Sequence, residues 1–410
     1  MNMDNMLPEI RFKGFSGGWN YLTLGENAKF TKGQGYSKGD LVTSGTPIIL
    51  YGRLYTKYQT VISSVDTFVT EKDTSIKSIG GEVIVPASGE SPDDISRASV
   101  VSEPNVILGG DLNILLPNKK IHSTFLALAI SNGRLKKKLS SKAQGKSVVH
   151  IRNSDLADLD LILPTEYIEQ TTIGNYFQKL DALINQHQQK HDKLSSIKKA
   201  MLEKMFPKQG ETMPEIRFKG FSGEWEEKEL GELAEIVRGA SPRPIEDPKW
   251  FDSQSSVGWL RIRDVTEQDG RIHYLEQRIS KLGQEKTRVL HEKHLLLSIA
   301  ASVGKPVVNY VETGVHDGFL IFKKPLFELE FMYQWLKSFE TKWQQFGQPG
   351  SQVNLNSDIV KNLTITIPTN EEQTAIGNYF QKLDALINQH QQQIIKLNNI
   401  KQACLSKMFV

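Results

Sequence analysis

The sequence predicts an α+β protein written twice. Two globular, mixed domains are separated by two long helices that pair as an antiparallel coiled coil, an internal duplication with pseudo-two-fold symmetry. Three observations carry this. The segment PEIRFKGFSG opens at Pro8 and again at Pro214, and a tryptophan, Trp19 or Trp225, follows each copy. The block IGNYFQKLDALINQHQQ runs from Ile173 to Gln189 and returns unchanged from Ile376 to Gln392. Between the copies, residues 27–150 and 233–350 have similar lengths but share little sequence. Chance does not produce both repeats in one order, so the chain holds two units of about 200 residues, 7–206 and 213–409.

The helices follow from spacing. Ile173, Phe177, Leu180, Ile184, His187, His191, Leu194, Lys198, Met201 and Met205 alternate steps of four and three, the seam of a coiled coil. The copy runs Ile376, Phe380, Leu383, Ile387, His390, Ile394, Leu397, Lys401, Cys404, Met408. Each helix of nearly forty residues would be about 60 Å long. Pro164 and Pro368 precede the helices, and Pro207 ends the first. A lone helix of this kind would expose its seam, so the two are expected to pack together, antiparallel. The expected division is 1–164 for the first mixed domain, 165–206 for its helix, 207–370 for the second domain and 371–410 for the last helix.

In the first insert, Thr46–Ile62, Glu82–Ala87 and Asn105–Pro117 read as strands, rich in β-formers and bounded by Gly and Pro. A helix over Ser123–Leu139, a polar loop to Val149 and a strand ending at Leu163 follow. The second insert runs parallel: strands at Gly258–Asp264, Leu295–Ala300, Pro306–Tyr310 and Gly318–Phe322, a helix over Leu329–Phe346, and a Gly/Gln loop to Asn356.

Composition sets the outer bounds. With 39% hydrophobic and 24% charged residues, the chain has material for a sizeable core and is not a disordered protein. No apolar run approaches the roughly 18 residues needed to span a bilayer, and Met1–Gly14 lacks the apolar core of a secretory signal, so a cytoplasmic location is expected. The single cysteine, Cys404, excludes an internal disulfide, and no Cys/His spacing suggests zinc. A net charge of +3 does not by itself announce a nucleic-acid binder, so any such role needs local clusters.

Motifs for catalysis are incomplete. Gly145-Lys146-Ser147 mimics the end of a phosphate loop, but Ser140 stands where the first glycine belongs. Gly33-Gln34-Gly35 has Lys38 in place of a third glycine, which breaks the dinucleotide pattern. Asp93 and Glu226-Glu227 read as surface charge. His187 and His191 are spaced for chelation, yet their copies are His390 and Ile394, so seam polarity is favoured over a metal site.

Clusters for nucleic acid lie in the inserts. Arg134, Lys136, Lys137, Lys138, Lys142 and Lys146 occur without an intervening acid, with Gln144 among them, a pattern that can neutralise phosphates and release counterions. At the corresponding place the second insert offers Gln345, Gln348, Gln352 and Asn354, side chains able to pair bidentately with adenine. Arg261 and Arg263 alternate with Leu260 and Ile262, which puts both arginines on one strand face. The alternative for each cluster is a solvated charged surface.

The repeats resemble the specificity (S) subunit of type I restriction-modification systems. The matching features are the PEIRFKGFSG…W openings, Glu169-Gln170 and Glu372-Gln373 before the YFQKLDALI helices, and the KMF endings, in the order domain, helix, domain, helix. Gly350–Asn356, GSQVNLN, resembles the family's glycine/glutamine segment, whereas GKSVVHIRN from Gly145 departs from it. The resemblance implies two target-recognition domains, each reading one half of a split site in double-stranded DNA, with the helices as spacer. It implies a chain without catalysis or cofactor of its own. Two modification subunits and, for cleavage, restriction subunits would dock on it and carry the S-adenosylmethionine, ATP and Mg chemistry. Divergent inserts on copied frames imply an asymmetric bipartite target. Beside the seam run Tyr176, Leu183, Ile197 and Leu202, copied as Tyr379, Leu386, Ile400 and Leu405, an apolar stripe expected to be covered by the modification subunits. Two rival readings are a DNA-free coiled-coil adaptor and a self-sufficient DNA-modifying enzyme.

Overall fold

The computed structural model describes residues 7–145, 148–300, 303–346 and 355–409. Two compact units divide the chain, residues 1–188 with 392–410, and residues 189–391. The long helices run over Tyr167–Lys204 and Asn370–Met408, so each passes from one unit into the other.

Inside the first unit, the start of the first long helix packs on the end of the second. Phe177 meets Phe409 with ring centroids 6.0 Å apart, the Tyr176 hydroxyl lies 3.7 Å from Cys404 Sγ, and Lys401 donates to Asp181 at 2.5 Å. Rising numbers on one helix meet falling numbers on the other, which is the antiparallel sense. The second unit repeats the arrangement with the helices exchanged. Phe380 stacks on Phe206 at 6.0 Å, and Lys198 pairs with Asp384 at 2.5 Å. The copied YFQ and KMF motifs therefore complete each other's cores. The seam positions at both helix ends, Ile173, Phe177, Leu180 and Met205 with Ile376, Phe380, Leu383 and Met408, are buried. Each such side chain contributes about 1.5–3 kcal/mol by leaving water.

The inserts share one topology despite their sequences. In the first unit a five-stranded sheet is ordered Ala28–Lys32, Leu112–Pro117, Glu82–Pro86, Ser99–Val101, Val61–Ile62. In the second the order is Glu235–Arg238, Phe319–Lys323, Leu295–Ser298, Pro306–Asn309, Arg271–Ile272. The last pair is parallel in both. A smaller sheet in each unit also holds one parallel pair, Thr46–Ile49 with Ile107–Leu108 and Gly258–Leu260 with Thr313–Val315. Central strands such as EVIVP at Glu82–Pro86 and LLLS at Leu295–Ser298 are buried along their whole length, so they need only be apolar. The segment after each opening decapeptide forms a strand, Trp19–Thr23 or Glu226–Glu229, paired antiparallel with Asp160–Pro164 or Thr364–Ile367.

Several expected elements are broken. Thr46–Ile62 is not one strand: it turns at Tyr51-Gly52 into the helix Arg53–Thr56 before Val61–Ile62. Asn105–Pro117 is interrupted at Gly109-Gly110-Asp111, where Asp111 has φ 57°. The helix read over Ser123–Leu139 is two, Ser123–Ser131 and Gly133–Lys142, because Gly133 takes φ 62°. Leu329–Phe346 is α-helical to Phe339 and then tightens to a 3₁₀ helix, Glu340–Phe346. Gly258–Asp264 is a strand only to Leu260. Arg261 caps a helix over Ile262–Glu267, its backbone N–H donating to Asp264 Oδ2 at 2.8 Å, so the two arginines do not share a strand face. Among the described residues no helix is long and apolar enough to cross a membrane.

Candidate nucleic-acid interface

The copied residues build a clamp at the start of each long helix. In the first unit the Arg11 guanidinium grips Glu169 bidentately, both bonds at 2.6 Å, and also donates to the Gly17 carbonyl. In the second, Arg217 does the same to Glu372 at 2.7 Å and to the Gly223 carbonyl. The carboxylates are 1% exposed, so the pairs are charge-assisted bonds out of water. The neighbouring glutamine ties the insert to the helix. Gln170 accepts from the His122 N–H and donates to the Lys120 and Pro164 carbonyls, while Gln373 accepts from the Glu328 N–H and donates to Pro368. Each insert helix, Ser123–Ser131 or Leu329–Phe339, is thus held to the frame by the same amide. The sequence displayed these residues as repeats, but their partners lie too far along the chain for spacing to reveal them.

The basic cluster of the first unit sits on the helix Gly133–Lys142, which buries Leu135 and Leu139 and turns its charges outward. Three of these charges are paired in the fold. Lys136 pairs with Asp93 at 3.0 Å, Lys138 with Asp160 at 2.7 Å and Lys142 with Asp158 at 3.1 Å. Acids absent from the local sequence arrive from other elements. Arg134 and Lys137 are exposed and form no ion pair with a described residue. Gln144 is exposed beyond the helix end, where its backbone bridges His150. Ser140 is occupied with Ser96 and the Pro92 carbonyl. Lys146, and with it Lys146-Ser147 of the phosphate-loop mimic, lies outside the described residues.

In the second unit, Arg261 chelates Asp264 and reaches Glu276 at 3.2 Å, while Arg263 meets the same Glu276 at 2.6 Å and Glu267 at 3.3 Å. The hydrogen bond that Arg261 donates to the Asp264 carboxylate raises the arginine's pKa above its ordinary value. These arginines converge, but three carboxylates more than balance them. Gln345 is exposed and lines a groove of 850 Å³ with Lys342, Lys199 and Leu202. Gln348, Gln352 and Asn354 lie outside the described residues.

The apolar stripe is only partly bare. Leu183 and Leu386 are 43% exposed and Ile400 36%. Leu405, expected to await a covering subunit, is instead buried within the first unit's own core at 7%. Tyr176 and Tyr379 are half-covered by Phe12 and Phe218 of the copied decapeptides, whose rings meet them edge-on at 5.2 and 5.6 Å. Ile197 and Leu202 pack partly on the second unit's core. Of the spaced histidines, His191 turns to Asp192 at 3.1 Å, and among the described residues no group of three His, Cys, Asp or Glu side chains is arranged to hold a metal ion.

Two copied clamps and one insert topology used twice define a duplicated protein of two equivalent mixed domains on a repeated helical frame. The family model for the type I restriction modification DNA specificity domain matches residues 16–196 and 222–399, and the chain belongs to that family. Among solved structures, the S subunit of a type I restriction-modification system from M. genitalium is similar along 99% of both chains, with a TM-score of 0.60 at 15% identity. A chain from a structure describing complex assembly and conformational transition of the type I R-M system covers 96% of this chain and 98% of its own, with a TM-score of 0.52 at 17% identity. At these identities the likeness is one of fold.

Proposed function

We propose that this chain is the non-catalytic specificity subunit of a type I restriction-modification complex, reading an asymmetric bipartite site in double-stranded DNA through its two inserts. The carrying observation is that frame and insert obey different rules. Frame contacts such as Arg11–Glu169 and Arg217–Glu372 are copied atom for atom, whereas the surfaces on the common sheet differ in charge and side chain. A reader of two unlike half-sites needs a shared scaffold and unlike surfaces. The long helices act as the spacer between the half-sites. Two modification subunits dock along the exposed part of the copied stripe, at Leu183, Leu386 and Ile400, and restriction subunits join for cleavage. S-adenosylmethionine, ATP and Mg belong to those partners.

The test exchanges residues 27–150 for the insert of another specificity subunit and maps methylated sites in cells that also express the modification subunits. One half of the methylated motif should change while the other half stays. A change in both halves refutes independent reading, and a chain that shows no salt-dependent duplex binding with its modification subunits belongs instead with the DNA-free adaptors.

A further inference from the structure

The two inserts leave their large sheets at one equivalent point and then diverge. In the first unit Gly33 N–H donates to the Leu112 carbonyl at 2.9 Å and Gln34 N–H to Leu108 at 3.1 Å. In the second, Gly239 N–H donates to Phe319 at 2.9 Å and Ala240 N–H to Val315 at 3.0 Å. Both glycines are obligatory, since a Cβ on Gly33 would stand 1.8 Å from the Gly109 carbonyl oxygen and one on Gly239 2.1 Å from that of His316. With the backbones matched in this way, Lys32 occupies the place of Arg238, and Gly109-Gly110 the place of His316-Asp317. The frame ends here and the individuality of each unit begins.

In the second unit this point gathers three exposed arginines. Arg238 donates its Nε–H to the Asp317 carbonyl at 2.6 Å, and Arg288 donates its Nε–H to the Arg238 carbonyl at 2.7 Å. Arg243 pairs with the Asp317 carboxylate at 2.6 Å, and Ser241 donates to the other oxygen of that carboxylate at 2.7 Å. Thr287 closes the loop from behind, donating to the Ala240 and Val315 carbonyls. Of the three guanidiniums only that of Arg243 pairs with a carboxylate, the reverse of the balance around Arg261 and Arg263. Arg238 and Arg288 form no ion pair with any described residue.

Anchoring through Nε has a geometric consequence. It fixes the guanidinium plane and leaves the two terminal nitrogens as a preset fork, a shape that matches two acceptors lying in one plane. A phosphate can be held by any mobile cation. The O6 and N7 edge of guanine is served by an oriented fork. We propose that Arg238 and Arg288 read guanine in the half-site of the second unit, with Arg243 and Asp317 positioning their loop. This rests on the proposed function and adds which residues specify bases. The first unit, with Lys32 at this point, presents a charge without a fork.

The test uses the full chain with its modification subunits and a duplex library carrying two randomised blocks and a variable spacer. The wild type should enrich two blocks, one containing guanine. R238K and R288K keep the charge and remove the fork. Each should lower enrichment at a guanine column of that block by about tenfold or more, leaving the other block intact as an internal control of folding. Unchanged columns, or a uniform loss of binding with the base preferences preserved, would overturn base reading by these arginines. A wild type that enriches no sequence would instead overturn the specificity role itself, and this inference with it.

Discussion

Removing Arg217 should cost more than removing the whole pair it belongs to. In the Arg217→Ala protein the Glu372 carboxylate, 1% exposed, loses both charged bonds of 2.7 Å and has no cation to replace them. Breaking a buried pair from one side costs about 3–5 kcal/mol, whereas replacing both partners by apolar side chains of similar volume is often close to neutral. For a unit of this size about 1 kcal/mol shifts the midpoint by roughly 2–4 °C, so R217A should lower the melting of the second unit by about 6–20 °C. The double variant Arg217→Met with Glu372→Met should recover most of that loss. Calorimetry on the full chain, with hydrogen exchange over residues 370–383 to localise the transition and with R217M and E372M added as the single variants, gives all corners of the double-mutant cycle. The copied clamp supplies an internal replicate, because Arg11→Ala should produce a similar loss in the first unit. A cost below about 1 kcal/mol for R217A, or a double variant as damaged as the single, would refute the account of a charge held by one partner.

Two further outcomes follow from the helices. Reversing one charge of the antiparallel pair, Lys401→Asp against Asp181, should destabilise the first unit by about 1–3 kcal/mol, and adding Asp181→Lys should restore part of it, measured by urea unfolding of the four proteins. Stability should also fall as pH drops below about 6.5, the ordinary histidine value. Burial lowers the pKa of His122, whose Nδ1 has no partner among the described residues and whose ring lies against Gly174 of the first long helix. The folded state keeps this ring neutral while the unfolded chain takes up a proton, so its contribution is full above the unfolded value and is lost on acidification. In His122→Phe the slope of unfolding free energy against pH between 7 and 5 should flatten, and an unaltered slope would remove His122 from the account.

The helices were legible because burial imposes a period. Every seam position from Ile173 to Met205 is at least half-buried, while the meeting of Phe177 with Phe409 and of Phe380 with Phe206 shows only in the fold. The shared order of the inserts was visible in outline, but their breaks were not, since Gly133 at φ 62° and the turn at Gly109-Gly110-Asp111 interrupt patterns that look continuous. The candidate interface was the least legible. Leu260 to Arg263 alternates as a strand would, and the capping of Arg261 by Asp264 converts it to a helix. The lysine run looked uncompensated because Asp93 and Asp160 stand 43 and 22 residues from their partners. Charge balance is a property of the folded surface, and a window along the chain does not contain it.

The exchange of helix ends also orders events in time. The first unit begins to be synthesised first, yet its core is closed by Leu405, Met408 and Phe409, which follow the whole of the second unit along the chain. The second unit, by contrast, takes Met205 and Phe206 from chain already made, and its own segments end at Gln391. Domains ordinarily fold in the order of their synthesis. Here the first unit must wait with Trp19, Phe125 and Phe177 unsealed until residues 405–409 arrive, so the later unit is the earlier one to be complete. A nascent chain stalled before Leu405 would carry a finished second unit and an open first one, its apolar surface offered to chaperones for as long as the helix Asn370–Met408 takes to emerge.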